Sequence, residues 1–568
     1  MEHMEDDDVV LLSDTRVREE NLQYLEAPDQ PRVVNENTNY QIQDAPDELM
    51  HVSEDACNNP EVDGNIQPNS TEDLHPPVEL RLTNYALKCA VVASITSGLL
   101  GVYVKVMSGG AVHIKQDRKT TEISMGALTG ILNLFVILGS AMAGWTADLK
   151  GRRRTIVFGG AILFFATLFM RFAPSYAFFL IGNLFANIGV GYALMISPLY
   201  IAEVSPTFSR GCLTSFPEIF INCGIILGYI FNYVFSKLHL SIGWHVILSV
   251  GTTSLAILTI RVLHMPESPR WLIMEGRLLD AKHVLAKTYG SNEEAALRFT
   301  SIKEAAGIPP ECNGDIVNVN RHSIWEVIWR DLLLHRTRSM CHILVCVIMI
   351  HFFHEAFAID AVFLIFKTAD ITSSSDKLLM TLAVDLVKTI SIPVATLLLD
   401  RVGRRPLLLF STGGMIFSLT FLGTFLTIID QRDTKLTWEV NMCIVSVLLH
   451  AFFFSVGLGP VTSVYSSEIF PLSIRAQGCA IGVIANQVVS IIISMTFFPL
   501  YQAITLGGTA FLLAAIAISA FLFVYKFMPE TKGRTLEEMG LFFGEFTNWR
   551  SAAREIEMQG TATRPRQQ

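Results

Sequence analysis

Apolar and polar residues in this chain segregate by whole segments rather than by single positions. Twelve predominantly apolar windows fall near 85–107, 125–147, 155–173, 176–200, 214–236, 243–264, 341–366, 377–399, 405–428, 438–465, 475–500 and 507–528. A bilayer core about 30 Å thick takes roughly 20 apolar residues per helix, so each window predicts a transmembrane helix. A charged stretch from 265 to 338 separates six windows from six. The fold class predicted is an all-α polytopic membrane protein with twelve transmembrane helices in two six-helix halves. Inside the charged stretch, Leu278, Ala281, Val284 and Leu285 recur at helical spacing. Ala295, Ala296 and Leu297 follow, then a Gly-Ile-Pro-Pro break at 307–310. Short amphipathic helices beside the membrane fit this pattern; a large separate catalytic domain does not.

Short polar motifs recur in the two sets of windows. Asp148-Leu149-Lys150-Gly151-Arg152-Arg153 returns 252 residues later as Asp400-Arg401-Val402-Gly403-Arg404-Arg405. Glu203-Val204-Ser205-Pro206 with Arg210 returns as Glu468-Ile469-Phe470-Pro471 with Arg475. Pro266-Glu267-Ser268-Pro269-Arg270 returns as Pro529-Glu530-Thr531-Lys532-Gly533-Arg534. Two similar halves within one membrane chain explain all three pairs. The expected division is an acidic tail over 1–81, a first bundle over 82–264, a loop with short helices over 265–338, a second bundle over 339–528 and a tail over 529–568.

Composition agrees with a membrane protein: 51% of residues are apolar, 17% are charged and mean hydropathy is +0.42. The net charge of −9 hides an asymmetry, because residues 1–80 hold 21 acids against 3 arginines. That segment reads as a disordered, solvated cytoplasmic arm. The loops at 148–154 and 400–405 are rich in Lys and Arg. The positive-inside rule therefore puts them, and both termini, in the cytoplasm. Lys115, Arg118 and Lys119 follow the first window, so the rule decides by majority. The first residues are acidic and the first apolar run starts near Tyr85, so the first helix itself is expected to direct insertion.

Several chemistries find no support. Nine scattered cysteines include no CxxC and no His/Cys cluster at ligand spacing, so neither a disulfide framework nor a metal site is expected, and no cofactor. No nucleotide loop or nucleophile–base arrangement points to an enzyme. The arginines lie in short membrane-flanking loops, which argues against nucleic-acid binding.

The repeated motifs suit a gate. Gly151 and Gly403 permit a tight turn between helices. Arg152, Arg153, Arg404 and Arg405 can pair with acids on neighbouring helix ends, and Asp148 or Asp400 can accept from them or sit at a helix N-terminus. Glu203 with Arg210, and Glu468 with Arg475, complete the gating set. Charge pairs that exist only while two inner helix ends touch would hold one access state and break in the other. A capped positive-inside loop is the plainer reading; the twofold repeat at a fixed offset favours the gate.

With these motifs in view, the chain resembles the sugar porter family of the major facilitator superfamily over about 82–545. Pro266-Glu267-Ser268-Pro269-Arg270-Trp271 and Pro529-Glu530-Thr531-Lys532-Gly533-Arg534 look like the signatures closing each half. Gly189 to Met195, Thr214 to Asn222, Ile359-Asp360-Ala361 and Val464 to Phe470 look most like the plant polyol/monosaccharide transporters. The resemblance implies a carrier of linear polyols or monosaccharides with protons across the plasma membrane. It also implies sugar-facing residues: Glu218 and Asn222 in the fifth window, His354, Glu355 and Asp360 in the seventh, Lys388 in the eighth, and Asn486 with Gln487 in the eleventh. Independently, polar and ionisable groups at membrane depth are costly and usually face a hydrated path, and hydroxyl-rich solutes need such groups to replace water. For Asn222 and Asn486 an interhelical hydrogen bond serves as an explanation equally well.

The chain departs from that family at the coupling site. The first window reads Gly101-Val102-Tyr103-Val104-Lys105-Val106-Met107-Ser108-Gly109, with Tyr103 where the family's proton-taking Asp is expected and Lys105 in place of a glycine. The family arginine after Gly182 is replaced by Asn183. Paired glutamines and a glycine of the seventh window are replaced by His354-Glu355 and Ala358, the segment after Leu364 reads Ile365-Phe366-Lys367, and the tryptophan expected after Gly459-Pro460-Val461-Thr462 is Ser463. A tyrosine with pKa about 10 cannot cycle a proton near neutrality as a tuned carboxylate does. Glu218, Glu355 and Asp360 are then the candidate coupling acids. The expected partners are a small sugar or polyol, protons where transport is coupled, and the lipid bilayer. Two alternatives stay open: a facilitative uniporter, and a non-transporting sensor acting through the acidic tail.

Overall fold

The structure is a computed structural model that describes residues 82–118, 122–235, 259–309, 312, 314–317, 337–358, 374–431, 437–539 and 542. These belong to one compact unit. The tail 1–81, Asp360, Ile365 to Lys367, the stretch 318–336 and residues 543–568 lie outside them. The described helices are α1 (Asn84–Arg118), α2 (Glu122–Lys150), α3 (Arg152–Arg171), α4 (Tyr176–Val204), α5 (Arg210–Thr214) and α6 (Phe216–Phe235). The middle stretch holds α7 (Pro269–Met274), α8 (Leu278–Thr288) and α9 (Asn292–Ala305). The second half holds α10 (Thr337–Ala358), α11 (Ser374–Val402), α12 (Arg404–Asp430), α13 (Thr437–Val456), α14 (Leu458–Ile469) and α15 (Arg475–Phe527).

Eleven segments among the described residues are long and apolar enough to cross a bilayer. The remaining window, 243–264, is described only from 259, where helix runs to Leu263. Large apolar side chains such as Phe165, Phe172, Leu397 and Phe417 are exposed, which suits a surface solvated by lipid. One apolar core gathers around Tyr192, Met195 and Tyr200 of the first half and takes in Ala476, Cys479 and Ala480 of α15, and another lies in the second half around Phe353, Leu408 and Tyr465. Small residues let helices touch at the backbone. A Cβ on Gly101 would lie 2.1 Å from the Ile221 carbonyl and one on Gly224 2.0 Å from that of Gly98, so α1 and α6 cross tightly. The halves meet where α2 packs on α15, α6 on α11, and α4 on α14 and α15.

Three local features add detail to the sequence reading. The tenth window is broken at Gly457, where a side chain would strike Ser411; the Ser411 hydroxyl instead accepts from the Leu458 N–H at 3.1 Å, satisfying the broken helix. The last two windows are two separate spans within the run given as α15, parted by a kink at Thr505 (φ 66°), whose hydroxyl accepts from the Gly508 N–H and caps the second helix. In the middle stretch α8 buries Leu278, Ala281, Val284 and Leu285 as read, but α9 buries Ala295 and Ile302 and leaves Leu297 66% exposed. Consecutive residues cannot share one helix face, so the Ala-Ala-Leu run was a poor guide. Cys312 is disulfide-bonded; a single bridge is not the framework whose spacing the sequence lacks.

Candidate functional site

At one end of the bundles the repeated motifs form two near-copies of one ion cluster. In the first half, Gly151 turns the chain between α2 and α3 with φ 94°, a value that favours glycine. Arg152 then lies inward, donating to Glu203 Oε2 at 2.9 Å and Oε1 at 3.0 Å, with Asp148 3.6 Å away. Glu267 closes the turn by accepting from the backbone N–H groups of Arg152 (2.7 Å) and Arg153 (2.9 Å), and Ser268 donates to Glu203 at 2.5 Å. In the second half Gly403 has φ 109°. Arg404 donates to Glu468 at 2.7 and 3.2 Å and pairs with Asp400 at 3.1 Å. Glu530 accepts from the N–H groups of Arg404 (3.0 Å) and Arg405 (2.9 Å), and Thr531 donates to Glu468 at 2.9 Å. Arg152, Glu203, Arg404 and Glu468 are each at most 1% exposed, where a forked guanidinium–carboxylate pair is strongest.

Bonds between the halves are less symmetric. Arg210 donates to Glu468 Oε1 at 2.9 Å and to the Arg534 carbonyl at 2.8 Å. Asp400 accepts from the Gly211 and Cys212 N–H groups at 3.1 and 2.7 Å, a carboxylate of the second half seated on the first turn of α5. Asp148 takes the corresponding place more weakly, accepting from Gln477 Nε2 at 3.2 Å. Arg475, the counterpart of Arg210, donates among the described residues to the Phe470 and Leu536 carbonyls, at 3.1 and 3.2 Å, and acts on Glu203 by charge without a hydrogen bond. Outside the membrane helices, Arg270 pairs with Glu537 at 2.8 Å. Burial works against the Glu537 carboxylate, but Arg270 outweighs it and holds its pKa at about 2. Burial, by contrast, dominates at Glu267 and raises its pKa despite the N–H donors.

A second polar cluster lies at membrane depth. On α6, Asn222 donates to the Glu218 carbonyl at 2.9 Å and reaches its carboxylate at 3.4 Å. On α10 and α15, Asn486 Nδ2 contacts Glu355 Oε2 at 3.1 Å and His354 Nδ1 at 3.3 Å, and Gln487 donates to Asn486 Oδ1 at 3.2 Å. Lys388 on α11 lies 3.8 Å from Asp385 and acts by charge on Glu218 in the other half and on His354. Seven of the expected sugar-facing residues thus form two neighbouring groups bridged by Lys388; Asp360 lies outside the described residues. Where the coupling acid and its arginine were expected, the Tyr103 hydroxyl donates to Asn183 Oδ1, which also receives Asn187 Nδ2 at 3.3 Å. Lys105 stacks over the Tyr229 ring, 3.8 Å from its centroid.

Sequence reasoning missed Glu267, Glu530, Ser268 and Thr531 as members of the ion cluster. They stand at matching places in a motif pair already recognised, so the repeat was the signal. It also missed Asp385, Asn183 and Glu537, which carry no repeat signature. Among the described residues no group of three or more His, Cys, Asp or Glu could hold a metal ion.

Comparison with known proteins places this geometry. The profile of the family described as Sugar (and other) transporter matches residues 89–543. Polyol transporter 5 of Arabidopsis thaliana is 51% identical over 490 residues, covering 85% of this chain and 90% of the relative. Putative polyol transporter 1 of the same organism is 49% identical over 471 residues, covering 82% and 92%. Among solved structures, the proton:xylose symporter XylE bound to 6-bromo-6-deoxy-D-glucose superposes with a TM-score of 0.69 at 25% identity, covering 81% of this chain and 99% of that one.

Proposed function

The chain belongs to the Sugar (and other) transporter family, the sugar porters of the major facilitator superfamily, and on that premise we propose that it carries polyols or monosaccharides by alternating access. It is a multi-pass membrane transporter, not an enzyme. The observation that carries the proposal is the buried Arg210–Glu468 pair, 2.9 Å across the two halves. A charge pair of that kind, formed only while the two ends touch, stabilises one access state and must break in the other. We place this end at the cytoplasm, because its loops carry Lys150 and Arg152 to Arg154 on one side and Arg401, Arg404 and Arg405 on the other. Both termini then face the cytosol, and the plasma membrane is the proposed location.

In this reading Asp148, Gly151, Arg152, Arg153, Glu203 and Arg210, with Asp400, Gly403, Arg404, Arg405, Glu468 and Arg475, form the gate. Glu218, Asn222, His354, Glu355, Lys388, Asn486 and Gln487, with Asp360, meet the substrate. Relatives named as polyol transporters at about half identity support a polyol as substrate. Carboxylates and amides spaced along a hydrated path replace the water around a hydroxyl-rich solute.

Proton coupling falls to Glu218, Glu355 or Asp360, since the Tyr103–Asn183 pair is neutral. That pair also favours a second reading, facilitated uniport, in which no proton travels. Uptake of radiolabelled sorbitol, inositol, xylose and glucose in a transport-deficient host, with and without protonophore, separates the two. Symport predicts accumulation that the protonophore abolishes; uniport predicts equilibration that it leaves alone. No uptake of any of the four would refute the carrier.

A further inference from the structure

The boundary between α2 and α15 is built from small and apolar residues. A Cβ on Gly144 would lie 2.9 Å from that of Ala480, and one on Gly130 3.6 Å from Ile491. Asn133 and Ser490 interrupt this face, and the Asn133 amide donates to the Ser490 hydroxyl at 3.0 Å across the halves. Ser490 stands one helical turn beyond Asn486, on the same face of α15. Asn486 already donates to Glu355 Oε2 at 3.1 Å. A serine hydroxyl has one proton to give and lone pairs to receive. Asn133 donates to Ser490, so the Ser490 proton remains to be given, and its place one turn beyond Asn486 sets the hydroxyl near the Glu355 carboxylate, on which it acts. Donors running from Asn133 through Ser490 to Glu355 would add to the one that Asn486 supplies.

We propose that Asn133 and Ser490 are positioning residues of the substrate site, tying the orientation of Glu355 to the contact between the two halves. Rocking that parts α2 from α15 removes the Asn133 donor, frees the Ser490 hydroxyl to rotate, and changes what Glu355 offers to a substrate hydroxyl. In the opposite direction, a polyol hydroxyl donating to Glu355 competes with Ser490 and loosens the boundary. Site occupancy and bundle contact are then linked through one hydroxyl. The transport consequence rests on the carrier reading; the hydrogen-bond relay does not.

The test separates the two. Infrared spectra of the purified full-length chain contain a Glu355 carboxyl band, identified by its loss in Glu355→Gln. The band is expected to move in Asn133→Leu, although Asn133 does not touch Glu355, to move further in Ser490→Ala, and to return in Ser490→Thr. A band unmoved by both Asn133→Leu and Ser490→Ala overturns the relay. In transport, each of these two variants should raise KM for the polyol about tenfold, the scale of one hydrogen bond to a charged group, with maximal rate per folded molecule unchanged. Merely structural residues would lower folded yield and maximal rate and leave KM alone, which also overturns the proposal. A wild type that moves no polyol while its band still responds to Asn133→Leu refutes the carrier and keeps the relay.

Discussion

The first-half and second-half ion clusters use the same parts and differ in what they do across the boundary. Arg152 with Glu203, Glu267 and Ser268 superimposes in chemistry on Arg404 with Glu468, Glu530 and Thr531. Yet Glu468 also receives Arg210 from the opposite half, while among the described residues Glu203 takes its hydrogen bonds within its own half and Arg475 donates to backbone carbonyls, reaching Glu203 by charge alone. Duplication thus yields equal clamps inside each bundle and an unequal latch between them. Both acids keep the same oxygen available once their own arginine and hydroxyl are bonded; the difference is that Arg210 reaches its acid across the boundary, whereas Arg475 turns to backbone carbonyls.

The largest expected effect comes from breaking the shared acid. Glu468→Gln weakens hydrogen-bonded arginines in both halves, Arg404 and Arg210, whereas Glu203→Gln weakens one hydrogen-bonded arginine, Arg152, and only a longer-range charge interaction with Arg475. Stranding a buried charge costs about 3–5 kcal/mol, so thermal unfolding of the purified protein should lose clearly more stability in Glu468→Gln. Equal losses would remove the asymmetry. Next comes the Arg270–Glu537 pair, outside the membrane helices. With its pKa held at about 2 against the ordinary 4.5, Glu537 stabilises fully above pH 4.5 and loses that contribution as pH falls toward 2. Wild type should therefore lose stability relative to Glu537→Gln as pH is lowered through that window, and parallel pH curves would contradict the pair.

Smaller effects sharpen the latch itself. Arg210→Ala leaves Glu468 paired with Arg404, so the fold should survive while the closed state loses population. Cys212, half-buried beside Asp400, is a native reporter: its alkylation, followed by mass spectrometry, should quicken about tenfold in Arg210→Ala, a shift of roughly 1.4 kcal/mol. Arg475→Ala should leave that rate near wild type. The smallest difference is between Asp400→Asn and Asp148→Asn. Asp400 seats two N–H groups at the start of α5, so its loss should cost about 1 kcal/mol more than that of Asp148, which takes one neutral amide across the boundary. Chemical denaturation resolves a difference of that size.

Much of this arrangement was legible from the amino acids because it repeats. The fixed offset of Asp148-x-x-Gly-Arg-Arg and its copy exposed the two halves, the turns and the arginines together. Apolar windows exposed the membrane helices because a bilayer demands one length everywhere. What did not repeat stayed hidden. The unequal roles of Arg210 and Arg475 depend on how two bundles dock, and their local sequences do not report docking. Asn133 and Ser490 look like ordinary small polar residues in apolar windows until their helices are set side by side. Tyr103 and Asn183 read as two separate losses, and only their shared hydrogen bond shows that the replacement is joint.

The central claim is that one end of the bundles opens and closes around the Arg210–Glu468 latch as substrate moves. It is tested most directly by electron-spin distance measurement between labels at exposed Arg154 and Arg401, on the two halves at that end, in a background stripped of reactive cysteines. The account predicts a short distance in the closed state, a second, longer population that grows in Arg210→Ala, and a balance between them that shifts when polyol is added. A single distance, unchanged by Arg210→Ala and by every polyol and sugar tried, would contradict it.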